Sequence, residues 1–277
     1  MSPPANRVLL EDLPEDEPWP PVPPDVELSA LDCEIPELAV SMNGMLYQLR
    51  GCTRPTVFKF RAMFCKYQLQ QAAGDCAIPM HGSVLGKPKG DSRLFFYGFT
   101  MDLATPIVSA AVPLSQRRGI MHQMIAVVER LHAKGIVHGD VKLENMLLND
   151  EGVVRLCDSG EGRYVEDEHL WEGRTTWYFV SPNRLARGER SRQDPPPPVL
   201  EDDLYGLGLS IWQLYTGETP HGEAAGDDIE LKEKQRKGET VDAAAVLDQE
   251  AREIVTCLLR QGELNDEILR LYAATWV

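Results

Sequence analysis

Three short runs in the first third of the chain are rich in aromatic and β-branched residues and are bounded by Gly, Pro or Asp. They are MLYQLR (45–50), TVFKF (56–60) and LFFYGFTMDL (94–103), and they predict strands of a small, mostly antiparallel sheet. Between them, RAMFCKYQLQQAA (61–73) predicts a helix. From Ser115 the period changes. In SQRRGIMHQMIAVVERLHAKG, residues Ile120, Met124, Val127, Val128 and Leu131 share one helical face and Gly135 supplies a stop. VVRLCD (153–158) predicts a short strand, and DLYGLGLSIWQLY (203–215) is apolar almost all round, as a buried helix is. DAAAVLDQEAREIVTCLLRQG (242–262) predicts a further long helix, and 223–240 an exposed helix and loop.

Breaks in this pattern set the domain organisation. Residues 1–24 hold eight of the twenty prolines and 11–17 read EDLPEDE, so 1–27 is expected to be a disordered acidic arm. Four consecutive prolines within RGERSRQDPPPPVLEDD (187–203) cannot sit in a helix interior, which predicts a Pro-rich loop over 187–202. The remainder divides into a sheet-rich part (28–102) with one helix and a mainly helical part (103–277). That is a bilobal α+β arrangement, and a cleft between lobes favours a ligand.

Composition narrows the chemistry. With 28 basic against 43 acidic residues the net charge is −15, which argues against non-specific binding to nucleic acid or anionic membranes. The six cysteines show no C-x-x-C and no Cys/His cluster, so reduced thiols in a cytoplasmic protein are expected. No apolar run approaches the ~18–20 residues that span a bilayer, and the N-terminus lacks the features of a signal peptide.

The chemically dense stretch is GIVHGDVKLENMLLNDEGVVRLCDSG (135–160). Asp140, Lys142 and Asn145 fall within six residues, and Asp158 follows at the end of a strand. A hairpin turning at Asn149–Gly152 would fold the second aspartate back beside the first. Two carboxylates, an amide oxygen and an ammonium would then converge. Hard oxygen donors suit Mg²⁺, which is usually completed by substrate phosphates, and a lysine close by neutralises a phosphoryl group in flight.

HGDVKLEN (138–145) resembles the catalytic loop of the eukaryotic-type protein kinase superfamily, H-R-D-x-K-x-x-N, and DSG (158–160) resembles its D-F-G. TTWYFVSPN (175–183) resembles the end of an activation segment, and DLYGLGLSIWQLYTG (203–217) the central helix of the helical lobe. The resemblance implies ATP and Mg²⁺ as cofactors and a protein substrate. It gives Asp140 the acceptor hydroxyl, Lys142 the transferred phosphate, and Asn145 and Asp158 the metal. Lys59 would bind the α- and β-phosphates, with Met101 as gatekeeper and the backbone of Asp102, Leu103 and Ala104 contacting adenine. His138 and Asp203 would be structural.

Four positions depart from the family pattern. Gly44 stands where a glycine-rich loop is expected, and 61–73 contains no acidic partner for Lys59, only Gln68, Gln70 and Gln71. Gly139 replaces the arginine of H-R-D, which implies no standard phosphorylation switch, and Asn183 replaces the glutamate of A-P-E. The basic run Arg184, Arg187, Arg190 and Arg192 reads as a solvated loop, or as a face attracting acidic substrates near the acceptor site. Three functions stay open: a Ser/Thr protein kinase, a pseudokinase serving as a scaffold, and a small-molecule phosphotransferase.

Overall fold

The computed structural model describes residues 26–27, 31–33, 38–41, 44–60, 64–87, 92, 95–167, 176–191, 196–222 and 228–261. The chain divides into two compact units, Met1–Ala104 and Thr105–Val277.

The first unit is a sheet with one helix. Its strands are β1 (Val26–Glu27), β2 (Ala39–Ser41), β3 (Gly44–Gln48), β4 (Thr56–Phe60), β5 (Met80–Gly86) and β6 (Phe95–Asp102), with α1 (Phe64–Ala73) between β4 and β5. Their order is β1-β5-β6-β4-β3-β2. All neighbours run antiparallel except the parallel pair β1 and β5. One side packs Leu49, Phe58 and Val84 with Tyr47, Phe60 and Tyr97, and Tyr67 of α1 stacks near Phe96 and Phe99.

Two features of this unit depart from the sequence pattern. Strand β5 has no clear sequence signal, because Gly82, Ser83 and Gly86 dilute the apolar pattern of MHGSVLG. Of the arm expected over 1–27, residues 1–25 lie outside the described residues, while Val26 and Glu27 form β1 against Val84 and Leu85.

The second unit is mainly helical. It comprises β7 (Thr105–Pro106), α2 (Leu114–Ala133), β8 (Ile136–Val137), β9 (Met146–Leu148), β10 (Val154–Leu156), β11 (Arg163–Tyr164), α3 (Pro182–Ser191), α4 (Leu200–Thr216), α5 (Asp228–Arg236) and α6 (Gln249–Gln261). Strands β7, β9 and β10 form a small sheet, and β8 pairs antiparallel with β11. The apolar face expected of α2 is buried, with Met121, Met124, Val127 and Val128 all at 0% exposure. Helix α4 is buried on most sides, as its composition predicts. Gly208 lets α6 approach: a Cβ there would lie 2.9 Å from Leu258 Cβ.

Capping explains where the helices differ from expectation. The helix expected over 242–262 begins only at Gln249, because two aspartates offer their side chains to the backbone first. Asp242 accepts from the Ala244 N–H at 2.9 Å and closes a 3₁₀ turn over Ala243–Ala245. Asp248 accepts from the Ala251 N–H at 3.0 Å and starts α6. The loop expected over 187–202 is shorter than its prolines suggest, since α3 runs to Ser191 and α4 starts at Leu200. Helix α4 carries Glu201, Asp202 and Asp203 in its first turn, the favourable end of its dipole.

Gly206 of α4 faces the carbonyl oxygen of Val141, which would lie 2.4 Å from an added Cβ, whereas Gly119 of α2 has open space around it. Alanine gains about 1 kcal/mol over glycine in a helix interior. Gly119→Ala should therefore raise stability by ~0.5–1 kcal/mol in urea unfolding. Gly206→Ala should lower it by ~2 kcal/mol or more, because the clash outweighs propensity. Equal gains from both would refute close packing of α4 against residue 141.

Candidate active site

The site in the second unit is built on a hairpin and a buried carboxylate. Strands β9 and β10 pair in the register Leu148↔Val154, Leu147↔Arg155 and Met146↔Leu156. Asn149 closes the loop between them: its side-chain oxygen accepts from the Val153 N–H at 2.8 Å and the Glu151 N–H at 3.1 Å. Past the strands, the Cys157 N–H donates to the Asn145 carbonyl at 2.9 Å. The hairpin thus carries residue 158 back toward residues 140–145, as the spacing predicts. Gln123 of α2 holds β10 by accepting from the Val154 N–H at 2.9 Å.

Asp203 organises the preceding loop. It is 1% exposed, and its two carboxylate oxygens accept from the His138 N–H at 2.7 Å and the Gly139 N–H at 2.8 Å. His132 of α2 contacts the same carboxylate at 2.9 Å. The His138 ring spans the loop and the strand end. Its Nδ1 accepts from the Asp140 N–H at 3.4 Å, which leaves the proton on Nε2 to donate to the Cys157 carbonyl at 3.0 Å.

Asp140 is buried and is oriented from two directions. Asn145 Nδ2 donates to its carboxylate Oδ2 at 2.9 Å and to its carbonyl at 2.8 Å. Lys142 Nζ lies 2.7 Å from the same Oδ2 and donates to Thr176 Oγ1, also at 2.7 Å. The other carboxylate oxygen, Oδ1, is buried with no hydrogen-bond partner among the described residues. Burial pulls the Lys142 ammonium down. The Asp140 carboxylate, its hydrogen bond and the Asp158 carboxylate more than offset this and leave it above its ordinary value.

Asp158 lies within electrostatic reach of that ammonium, and its backbone is left-handed (φ 58°, ψ 58°). A non-glycine residue held there stores roughly 1–3 kcal/mol, a strain concentrated at functional positions. The donor set of Asn145 and Asp158 is oxygen only, which fits a hard divalent ion such as Mg²⁺. With its amide nitrogen turned to Asp140, the Asn145 side-chain oxygen faces the other way. Among the described residues no group of three or more His, Cys, Asp or Glu converges, so such an ion needs further oxygens from a ligand.

In the first unit, Lys59 is buried on β4 at 7% exposure. Gln70 of α1, one of the residues considered as a partner for it, donates to the Ile78 carbonyl at 3.4 Å and to the Met101 sulfur at 3.7 Å. In the strip expected to meet adenine, the Asp102 and Leu103 N–H groups are taken by the Pro79 and Pro55 carbonyls at 3.0 and 2.9 Å. The Asp102 carboxylate meets His81 at 2.8 Å. The Asp102 and Leu103 amides are therefore not open to a base, which corrects part of that expectation; the Ala104 amide has no partner among the described residues.

The arginine run requires a correction. Arg184 is 2% exposed, and Arg187 forms an ion pair with the buried Asp202. The Arg190 side chain and Arg192 lie outside the described residues. Arg184 and Arg187 thus form no solvated basic face for an acidic partner. The segment 223–240 is likewise not a wholly exposed helix. Leu231 and Gln235 of α5 are at 0% exposure, and Gln235 Nε2 donates to the Trp177 and Val180 carbonyls at 3.0 and 2.9 Å. Sequence reasoning singled out Asp203 and Thr176 but missed His132, Glu161 and Gln235, which carry no local motif.

Comparison with known proteins bears on this arrangement. The family described as Protein kinase domain matches residues 98–265, more than half of the chain. The chain is 28% identical over 137 residues to Mitogen-activated protein kinase kinase kinase 3 of Arabidopsis thaliana, covering 49% of this chain and 23% of that protein. It is 32% identical over 107 residues to Dual specificity mitogen-activated protein kinase kinase 7 of Homo sapiens, covering 35% and 24%. The matched stretch therefore spans about a quarter of these curated relatives. Among solved structures, the Cydia pomonella granulovirus kinase PK-1 aligns with a TM-score of 0.59 at 17% identity, over 84% of this chain and 88% of that one, a likeness of fold. The chain belongs to the protein kinase domain family.

Proposed function

We propose that the chain transfers the γ-phosphoryl group of Mg·ATP to a Ser or Thr hydroxyl of a protein substrate in the reducing cytoplasm. The observation that carries this reading is the Asp140 carboxylate, pinned at Oδ2 by Asn145 and Lys142 while the buried Oδ1 has no partner among the described residues. That oxygen is suited to accept a hydrogen bond, and then the proton, from an acceptor hydroxyl. Lys142, tethered by Asp140 and Thr176, supplies a fixed positive charge for the phosphoryl oxygens. Asn145 and Asp158 would hold the Mg²⁺, which when bound neutralises charge on the phosphates. Lys59 would engage the α- and β-phosphates, and the Ala104 amide, which has no partner among the described residues, the base. A lysine two residues beyond the aspartate favours Ser/Thr over Tyr as acceptor.

A scaffolding pseudokinase is the second reading. It is supported by α1, whose described residues carry no acid and whose Gln70 side chain is engaged with Ile78 and Met101. A small-molecule phosphotransferase fits less well with the Lys142–Thr176 contact, since the TTWYFVSPN segment is a protein-kinase feature. Among the described residues no helix is long and apolar enough to cross a membrane.

The test is γ-phosphate transfer to the chain itself or to a generic protein with Mg²⁺. Asp140→Asn should lower kcat ~100-fold or more while leaving KM for ATP within about twofold. Wild type no faster than Asp140→Asn, with no thermal shift on adding Mg·ATP, would leave the scaffold reading in place. Thr176→Val, which removes one Lys142 tether, should lower kcat about tenfold. Thr175→Asp should leave the rate within about threefold of wild type, because Gly139 offers no guanidinium to a new anion. A large gain from Thr175→Asp would show that a phosphorylation switch exists.

A further inference from the structure

The bulkiest fully buried side chain among the described residues belongs to a cation, Arg184 of α3. A guanidinium taken out of water costs several kcal/mol unless charges and acceptors surround it, so its partners indicate what it is for. Nε donates to the Pro196 carbonyl at 2.9 Å, and Nη1 reaches the Gly139 carbonyl at 3.4 Å. Its own backbone N–H donates to Ser181 Oγ at 2.9 Å, and that hydroxyl donates to Asp202 at 2.6 Å. Burial holds the Arg184 guanidinium below its ordinary value, against the opposing pull of the Asp202, Glu161 and Asp203 carboxylates. Arginine remains charged even so.

The other half of the contact is Gly139. Its φ is +78°, and an added Cβ would lie 2.5 Å from the Glu161 carbonyl oxygen and 2.9 Å from Pro198 Cγ. The catalytic-loop backbone therefore lies directly on the turn Ser159–Glu161 that follows Asp158. A side chain at 139 is excluded by strain and by space. The place where the family pattern puts an arginine is closed to one, while an arginine from α3 reaches the same backbone.

We propose that Arg184 is the positioning residue of this site, a permanent internal cation that clamps the Gly139 carbonyl against the Glu161 turn and so fixes Asp140 relative to Asp158. The counter-charges are the buried Asp202 and Glu161 carboxylates, built into the chain, in place of a phosphate added to the activation segment. This inference rests on the phosphotransfer reading for its catalytic consequence but not for its geometry.

The experiment compares Arg184→Met, Arg184→Lys and the double variant Arg184→Met/Glu161→Gln in the full chain. It measures kcat, KM for ATP, the thermal midpoint, and amide hydrogen exchange in peptides covering 136–145 and 158–164. Arg184→Met should lower kcat about tenfold or more, leave KM for ATP within about twofold, and speed exchange in both peptides by about tenfold. The double variant removes one of the facing carboxylates along with the cation. It should regain most of the thermal midpoint while exchange and kcat stay at the Arg184→Met values, since the Gly139 carbonyl still lacks its donor. Arg184→Lys, which keeps the charge but loses the planar fork, should fall between, and it carries the comparison if Arg184→Met does not fold. Recovery of kcat and exchange together with the midpoint in the double variant would reduce Arg184 to charge balance and overturn the proposal. So would wild-type exchange in Arg184→Met, or in Arg184→Lys if only that variant folds. If wild type transfers no phosphate, the functional reading fails, and the exchange measurements still decide whether Arg184 clamps the loop.

Discussion

The second unit is arranged around one buried carboxylate. Asp203, at the start of α4, binds two consecutive backbone N–H groups of the loop at 138–139 and the imidazole of His132. Each of those amides would be costly to bury without an acceptor, and an ionised acceptor makes the stronger bond. The result joins α2, α4 and the loop that carries Asp140. The closeness of Gly206 to the Val141 carbonyl is the steric counterpart of the same contact, as α4 approaches the loop where the loop would otherwise be free to move. The His138 ring extends the arrangement to Cys157, the residue before Asp158. One carboxylate thereby fixes the backbone that leads into Asp140, and the His138 imidazole links that loop to the residue before Asp158.

The described end of the segment that resembles an activation segment is held by groups that the family pattern does not name. Asn183 stands where a glutamate is expected, yet the segment is fixed all the same. Ser181 donates to Asp202, Arg187 pairs with that carboxylate, and Gln235 of α5 binds the Trp177 and Val180 carbonyls. Lys232 lies over the Trp177 ring at 3.6 Å to its centroid. A segment whose backbone acceptors must be satisfied can be anchored by any donors that reach them, so the missing ion pair is replaced by a different polar set.

Much of this was legible in the amino-acid order, for identifiable reasons. The α2 stripe, the apolar α4 and the β9–β10 hairpin are set by local periodicity and by a turn whose Asn and Gly have few alternatives. Asp140, Lys142, Asn145 and Asp158 were readable because their spacing is a motif. Strand β5 was not, since glycine and serine weaken its pattern and its support comes from β6. The late start of α6 was hidden by DAAAV, whose helical propensity is overridden by two aspartate side chains capping the backbone. Arg184 and Arg187 read as surface charges because burial of arginine depends on carboxylates and carbonyls distant in sequence. The commitment of the Leu103 amide to Pro55 is a tertiary contact with no local signature.

The claim on which the functional account stands is that Asn145 and Asp158 share a divalent ion beside Asp140. The most direct measurement is anomalous diffraction from crystals of the full chain grown with Mn²⁺ and a non-hydrolysable ATP analogue. The account predicts an anomalous peak held jointly by the Asn145 amide oxygen and the Asp158 carboxylate, with Asp140 Oδ1 open toward the terminal phosphate. Nucleotide bound with no metal at those two residues, or the Asp140 and Asp158 carboxylates more than ~10 Å apart in the complex, would contradict it.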